Sequence, residues 1–108
     1  MALTRHFKET VQNRAKRDPA FRRALLREAI ESFLADDLET GKAVLRDFIN
    51  GTVGFARLAR ATRRSPKSLM RMLGPRGNPY ARNLFEIVAY LQQRERVRLR
   101  VKSNLIAA

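Results

Sequence analysis

The chain has 108 residues, 44% of them hydrophobic, with no cysteine and one histidine; Lys plus Arg is 23 against 10 Asp plus Glu, a formal charge of +13. That size and apolar content suit one packed domain rather than a disordered basic tail. Disulfides, thiolate metal sites and cysteine nucleophiles are excluded, and the longest uncharged stretch, residues 48–56, is too short for a membrane helix. The first residues lack the apolar run of a secretory signal, so the expected location is the cytoplasm.

Taken in chain order, the pattern predicts an all-α chain of five to six helices. Leu3, Phe7 and Val11 recur every four residues, giving a first helix over 5–17 with Thr4 as its cap. Its narrow stripe suits an amino-terminal arm, residues 1–17, that docks on a body spanning 18–93. Asp18-Pro19 is a strong helix start. Phe21, Leu25, Leu26, Ala29, Ile30, Phe33 and Leu34 then keep the spacing of an amphipathic helix ending near Asp36. A third helix, from about Thr40-Gly41, buries Val44, Leu45, Phe48 and Ile49. Asn50-Gly51 should end it, because both residues tolerate the left-handed conformation.

A short helix over 55–61 and the turn Thr62-Arg63-Arg64 precede Ser65-Pro66, a hydroxyl cap with a first-turn proline. The helix it opens carries Leu69, Met72 and Leu73 inward and ends at Gly74. Residues 74–79 hold four glycines and prolines and form a loop. A last helix over 82–93 has Leu84, Phe85, Ile87, Val88 and Leu91 apolar. Phe7, Phe21, Phe33, Phe48 and Phe85 all lie on apolar stripes and read as core. Residues 94–108 form a basic tail in which 96–102 alternate strictly. That period favours a short β-strand, a continued helix being the alternative.

The charge is unevenly spread. Residues 27–47 carry three basic and six acidic side chains. Residues 48–85 carry none acidic and eight basic: Arg57, Arg60, Arg63, Arg64, Lys67, Arg71, Arg76 and Arg82. A solvated face ordinarily mixes both signs, so this zone suits contact with a polyanion. Two short helices with a tight turn, inside a helical core, are the geometry of a DNA-reading helix-turn-helix. Ala59 is small enough for a close crossing, and Leu69 and Met72 anchor the second helix. Lys67, Ser68 and Arg71 are left outward to reach base edges. Arg57, Arg60, Arg63, Arg64, Ser65, Arg76, Asn78 and Arg82 are placed to hold phosphates.

Gly54-Phe55-Ala56-Arg57-Leu58-Ala59, then Ser65-Pro66-Lys67-Ser68-Leu69-Met70-Arg71-Met72-Leu73-Gly74-Pro75, Gly77-Asn78-Pro79 and Leu84-Phe85-Glu86-Ile87-Val88 resemble the Xre/Cro type of helix-turn-helix. More closely, they are similar to HigA-like antidote proteins of bacterial addiction modules. The resemblance spans residues 25–91. It implies a lambda-repressor-like five-helix domain, a homodimer, repression of an operator near its own gene, and a toxin partner of the RelE/ParE kind. Lys67, Ser68 and Arg71 match the family's recognition positions. Three positions depart from the pattern: Phe55 replaces a phosphate-steadying glutamine, Arg63 a turn glycine, and Arg64 a buried aliphatic.

Two other readings stand beside this one. Tyr80 in the basic loop suits a basic RNA- or ribosome-associated protein; alternatively, the chain is a toxin-neutralising module without operator binding. The helix over 19–34 with the Leu3-Phe7-Val11 stripe, or the tail, offers a dimer surface. No enzyme is expected: His6 has no partner for a triad or metal site, Asp36-Asp37 reads as solvated or capping, and no loop has phosphate-cradle form. No cofactor is implied.

Overall fold

A computed structural model describes residues 5–107. Met1 to Thr4, including the expected Leu3 contact and Thr4 cap, lie outside the described residues, as does Ala108. The chain is all-helical: α1 (Arg5–Arg17), α2 (Pro19–Leu34), α3 (Leu38–Gly51), α4 (Phe55–Thr62), α5 (Pro66–Met72) and α6 (Ala81–Glu95). The first three helices pack on one another, α4 packs on α5 and α6, and one hydrophobic cluster joins the two groups. No described helix is long and apolar enough to cross a membrane.

The starts follow local chemistry. Asp18 accepts from the Phe21 amide at 3.1 Å ahead of Pro19, and Asp37 accepts from the Thr40 amide at 3.2 Å. α3 therefore opens at Leu38, two residues before Thr40, because Asp37 is the cap. Both caps hold their carboxyls below the ordinary value. For Asp18 the Phe21 amide is the main cause; for Asp37 it is the hydrogen bonding to Thr40.

The turns are less conventional. α2, α4 and α6 are followed by Asp36, Arg63 and Arg96, each in the left-handed region at φ 61, 56 and 58°. The amides of Asp37, Arg64 and Val97 reach back to Ser32, Ala59 and Gln92 carbonyls at 2.9, 2.9 and 3.0 Å. That closure usually employs glycine, and a non-glycine there costs about 1 kcal/mol or more. Asn50 and Gly51, by contrast, do not adopt this conformation. α3 runs through Gly51, and the positive φ falls on Gly54 at 79°, the residue before α4.

The core comprises Leu26, Leu45, Phe48, Ile49, Leu58, Leu69, Leu73, Ile87 and Leu91, all fully buried, with Phe55 at its margin. α1 docks on α2 and α3 as expected, and it also contributes fully buried Ala15 to the core. Two aromatic assignments are corrected: Phe7 is 50% exposed and Phe85 is 67% exposed. On α6 the positions 84, 85, 87, 88 and 91 span more arc than α4 covers, so Ile87, Val88 and Leu91 go in and Phe85 is left out.

The strand expected at residues 96–102 is not formed; no strand occurs among the described residues. The segment reverses at Arg96 and lies extended along α6. The Leu99 amide donates to Gln92 Oε1 at 2.8 Å, and Leu99 packs on the core. Alternation thus reports one-sided burial here: residues 97 and 99 turn inward while 96, 98 and 100 remain exposed.

Candidate nucleic-acid interface

α4 and α5 are joined by residues 63–65. Ser65 caps α5, its hydroxyl accepting from the Ser68 amide at 3.1 Å, and Pro66 occupies the first turn. Leu69 and Leu73 are buried, so α5 is anchored by one face. Lys67, Met70 and Arg71, at i, i+3 and i+4, share the opposite exposed face, and Ser68 is half-buried beside them. Arg57 and Arg60 are exposed on α4, Arg63 on the turn, Arg76 and Asn78 on the following loop, and Arg82 on the first turn of α6.

A shallow groove of about 310 Å³ brings part of the expected set together. Ser68 and Arg71 line it with Arg76, Asn78, Tyr80 and Asn83. No carboxylate lines this groove. Arg57, Arg60 and Arg82 are exposed nearby in sequence but do not line it.

Arg64 departs from the rest. Its guanidinium donates to Glu86 Oε1 at 2.9 Å, Asn83 Oδ1 at 2.7 Å and the Thr62 carbonyl at 3.2 Å, with 20% of its side chain exposed. It therefore ties the turn to α6 instead of standing free. Hydrogen bonding to Arg64 is also the chief cause that holds the Glu86 carboxyl below its ordinary value. The aliphatic expected at this position by resemblance is replaced by a hydrogen-bonded charge.

Sequence reasoning missed the groups that fix the far end of α5. Lys42 is 1% exposed, and its Nζ donates to the carbonyls of Gly74 (2.8 Å) and Gly77 (2.7 Å) and pairs with Glu39 at 2.9 Å. Arg46 Nη1 donates to the Leu73 carbonyl. Together they bind the carbonyl at the end of α5 and two in the loop that follows, where the Gly77 amide also donates to Gly74 at 2.9 Å. Gly77 sits so close that a Cβ would lie 2.2 Å from the Arg71 and Met72 carbonyls. The loop bearing Arg76 and Asn78 is thereby folded back on α5. A signal existed: Lys42, Leu45 and Ile49 are spaced i, i+3 and i+7, which puts the lysine on the apolar face of α3. Met70, 51% exposed on the outward face of α5, was the other omission.

Among the described residues no three metal-ligating side chains gather. No family model, curated protein or solved structure matches this chain.

Proposed function

We propose that the chain is a sequence-specific duplex DNA-binding regulator and that α4, the turn and α5 act as a helix-turn-helix. The observation that carries this reading is the exposed Lys67, Met70 and Arg71 face of a short, capped, core-anchored helix, beside a groove shared with Arg76 and Asn78. α5 enters the major groove by its amino end. Arg71 donates twice to guanine, Lys67 and Ser68 reach neighbouring edges, and Met70 meets a thymine methyl. Arg57, Arg60, Arg63, Arg76, Asn78 and Arg82, with the hydroxyl proton of Ser65, hold phosphates and set the register. Arg64 serves by fixing the turn to α6.

One such helix covers few base pairs, so we propose a cytoplasmic homodimer on a palindromic site, with its two copies of α5 about 34 Å apart. By resemblance, the regulator is an autorepressing antitoxin with a RelE/ParE-like toxin as partner. Tyr80, 81% exposed at the rim of the groove, favours the second reading, an RNA-associated protein that stacks an unpaired base.

Arg71→Ala tests the assignment. Loss of a bidentate base contact costs about 1–3 kcal/mol on the specific site and relaxes its sequence preference. Arg57→Ala weakens all duplexes alike. Equal loss on specific and random duplex in Arg71→Ala removes the recognition-helix assignment, and tighter binding to structured RNA supports the second reading.

A further inference from the structure

The acid-free zone accounts for only part of the positive charge. Residues 14–23 and 94–102 together hold ten basic and two acidic side chains. The fold brings these segments to one place. Arg22 Nε pairs with Glu95 at 2.8 Å, and Arg22 Nη1 donates to the Ala15 carbonyl at 3.2 Å, joining the end of α6 to α1 and α2. Lys16, Arg22, Thr52 and Arg94 line an open pocket of about 230 Å³ there.

Both carboxylates of this pole are already engaged. Asp18 caps α2 and lies 3.5 Å from Arg14, while Glu95 is held by Arg22. Lys16, Arg94, Arg96, Arg98, Arg100 and Lys102 are all exposed, with no ion pair among the described residues. After the left-handed Arg96, Val97 and Leu99 are half-buried, so the exposed side chains of residues 96–100 are all arginine, with exposed Val101 next in the chain.

α6 separates this pole from the α4–α5 turn. Arg64 holds its amino end through Asn83 and Glu86, and Arg22 holds its carboxyl end. The held positions, 83–86 and 95, are about 14–18 Å apart along the helix. The two basic poles therefore stand at opposite ends of α6.

We propose that the far end of α6 is a second, sequence-independent duplex-binding pole, so that one chain bridges two DNA segments. Guanidinium forks suit phosphate oxygens, and among residues 94–102 five exposed cations stand against one exposed apolar side chain, Val101, a balance that suits a phosphate backbone better than a lipid surface. No exposed aromatic stands among these residues to stack an unpaired base. The inference rests on the α5 reading only for the identity of the first pole.

The test is a bridging assay on the full chain, scoring untethered labelled duplex retained on beads that carry a second duplex. Wild type retains it. Replacing Arg96, Arg98 and Arg100 together by glutamine removes about three phosphate contacts, each worth roughly tenfold in affinity near 0.1 M salt. Retention then falls by about two to three decades, while the sequence preference set by Arg71 is kept. Those side chains are exposed and enter no ion pair among the described residues, and unchanged circular dichroism confirms that the variant folds. Undiminished bridging by the triple variant, no bridging by wild type, or preference for phosphatidylglycerol vesicles or structured RNA over the second duplex would each overturn the proposal. If Lys67→Ala with Arg71→Ala leaves binding unchanged but the triple variant still cuts retention, the α5 reading falls and this one stands.

Discussion

Lys42→Met isolates the group that holds the far end of α5. Methionine keeps the unbranched stem in its buried channel and removes only the ammonium. Two backbone carbonyls, at 2.8 and 2.7 Å, lose their charge-assisted donor. The Gly74 carbonyl keeps the Gly77 amide at 2.9 Å, so only the Gly77 carbonyl is left without a donor, at about 1–3 kcal/mol for an unsatisfied buried acceptor. Both glycines are half-buried, so water recovers part of that cost. The Glu39 pair adds less than about 1 kcal/mol, because that carboxylate is 62% exposed. Relief from burying an ammonium opposes these losses. The balance is a loss of about 1 kcal/mol, readable by urea denaturation as a lower midpoint at unchanged slope. The same variant frees the loop bearing Arg76 and Asn78, so duplex affinity falls at a temperature where the protein is still fully folded. Stability within about 0.5 kcal/mol of wild type, a change typical of surface positions, together with unaltered affinity would refute the positioning role of Lys42.

Arg63→Gly removes the left-handed strain at the α4–α5 turn and raises stability by about 0.5–1 kcal/mol, while the loss of one phosphate-facing charge makes the salt dependence of DNA binding shallower by about one. A thermal melt paired with a salt titration reads both, and a destabilised variant contradicts the turn argument. The pH dependence carries two opposing signs. Asp18, Asp37 and Glu86 ionise more readily in the folded state, so their contribution is present above their ordinary values of 3.8 and 4.5 and is lost as pH falls below them. Burial pushes the Asp47 carboxyl up, so protonating it on acidification favours the fold and blunts that loss. Asp47→Asn therefore gives a steeper fall in urea midpoint between neutral pH and about pH 3, and a shallower fall contradicts the assignment.

Much of the fold was legible because its signals are local. Asp18-Pro19 and Ser65-Pro66 start helices wherever they occur, since a side-chain oxygen and a first-turn proline act within one turn. The closures at Asp36 and Arg96 were not, because the rest of the chain imposes a left-handed aspartate or arginine that no propensity favours; Arg63 was marked only by the turn glycine it replaces. The alternation over 96–102 reported an inward side only at Val97 and Leu99, since Arg96 turns left-handed and Val101 is exposed. It could not report pairing, which needs a second strand elsewhere. At the site, the missing carboxylates of residues 48–85 marked the surface but not which cations stay free. Glu86, one residue beyond that stretch, takes Arg64. Lys42 was overlooked because a lysine on an apolar stripe reads as a solvated flaw until Gly74 and Gly77 are seen to meet it.

Selection from a pool of randomised duplex, with wild type and Arg71→Ala in parallel at physiological salt, tests the central claim most directly. Wild type is expected to enrich a palindromic site with two half-sites about one helical turn apart. A guanine within each half-site loses its enrichment in Arg71→Ala. A wild-type pool that stays random through successive rounds, or the same enriched site with both proteins, would contradict that claim.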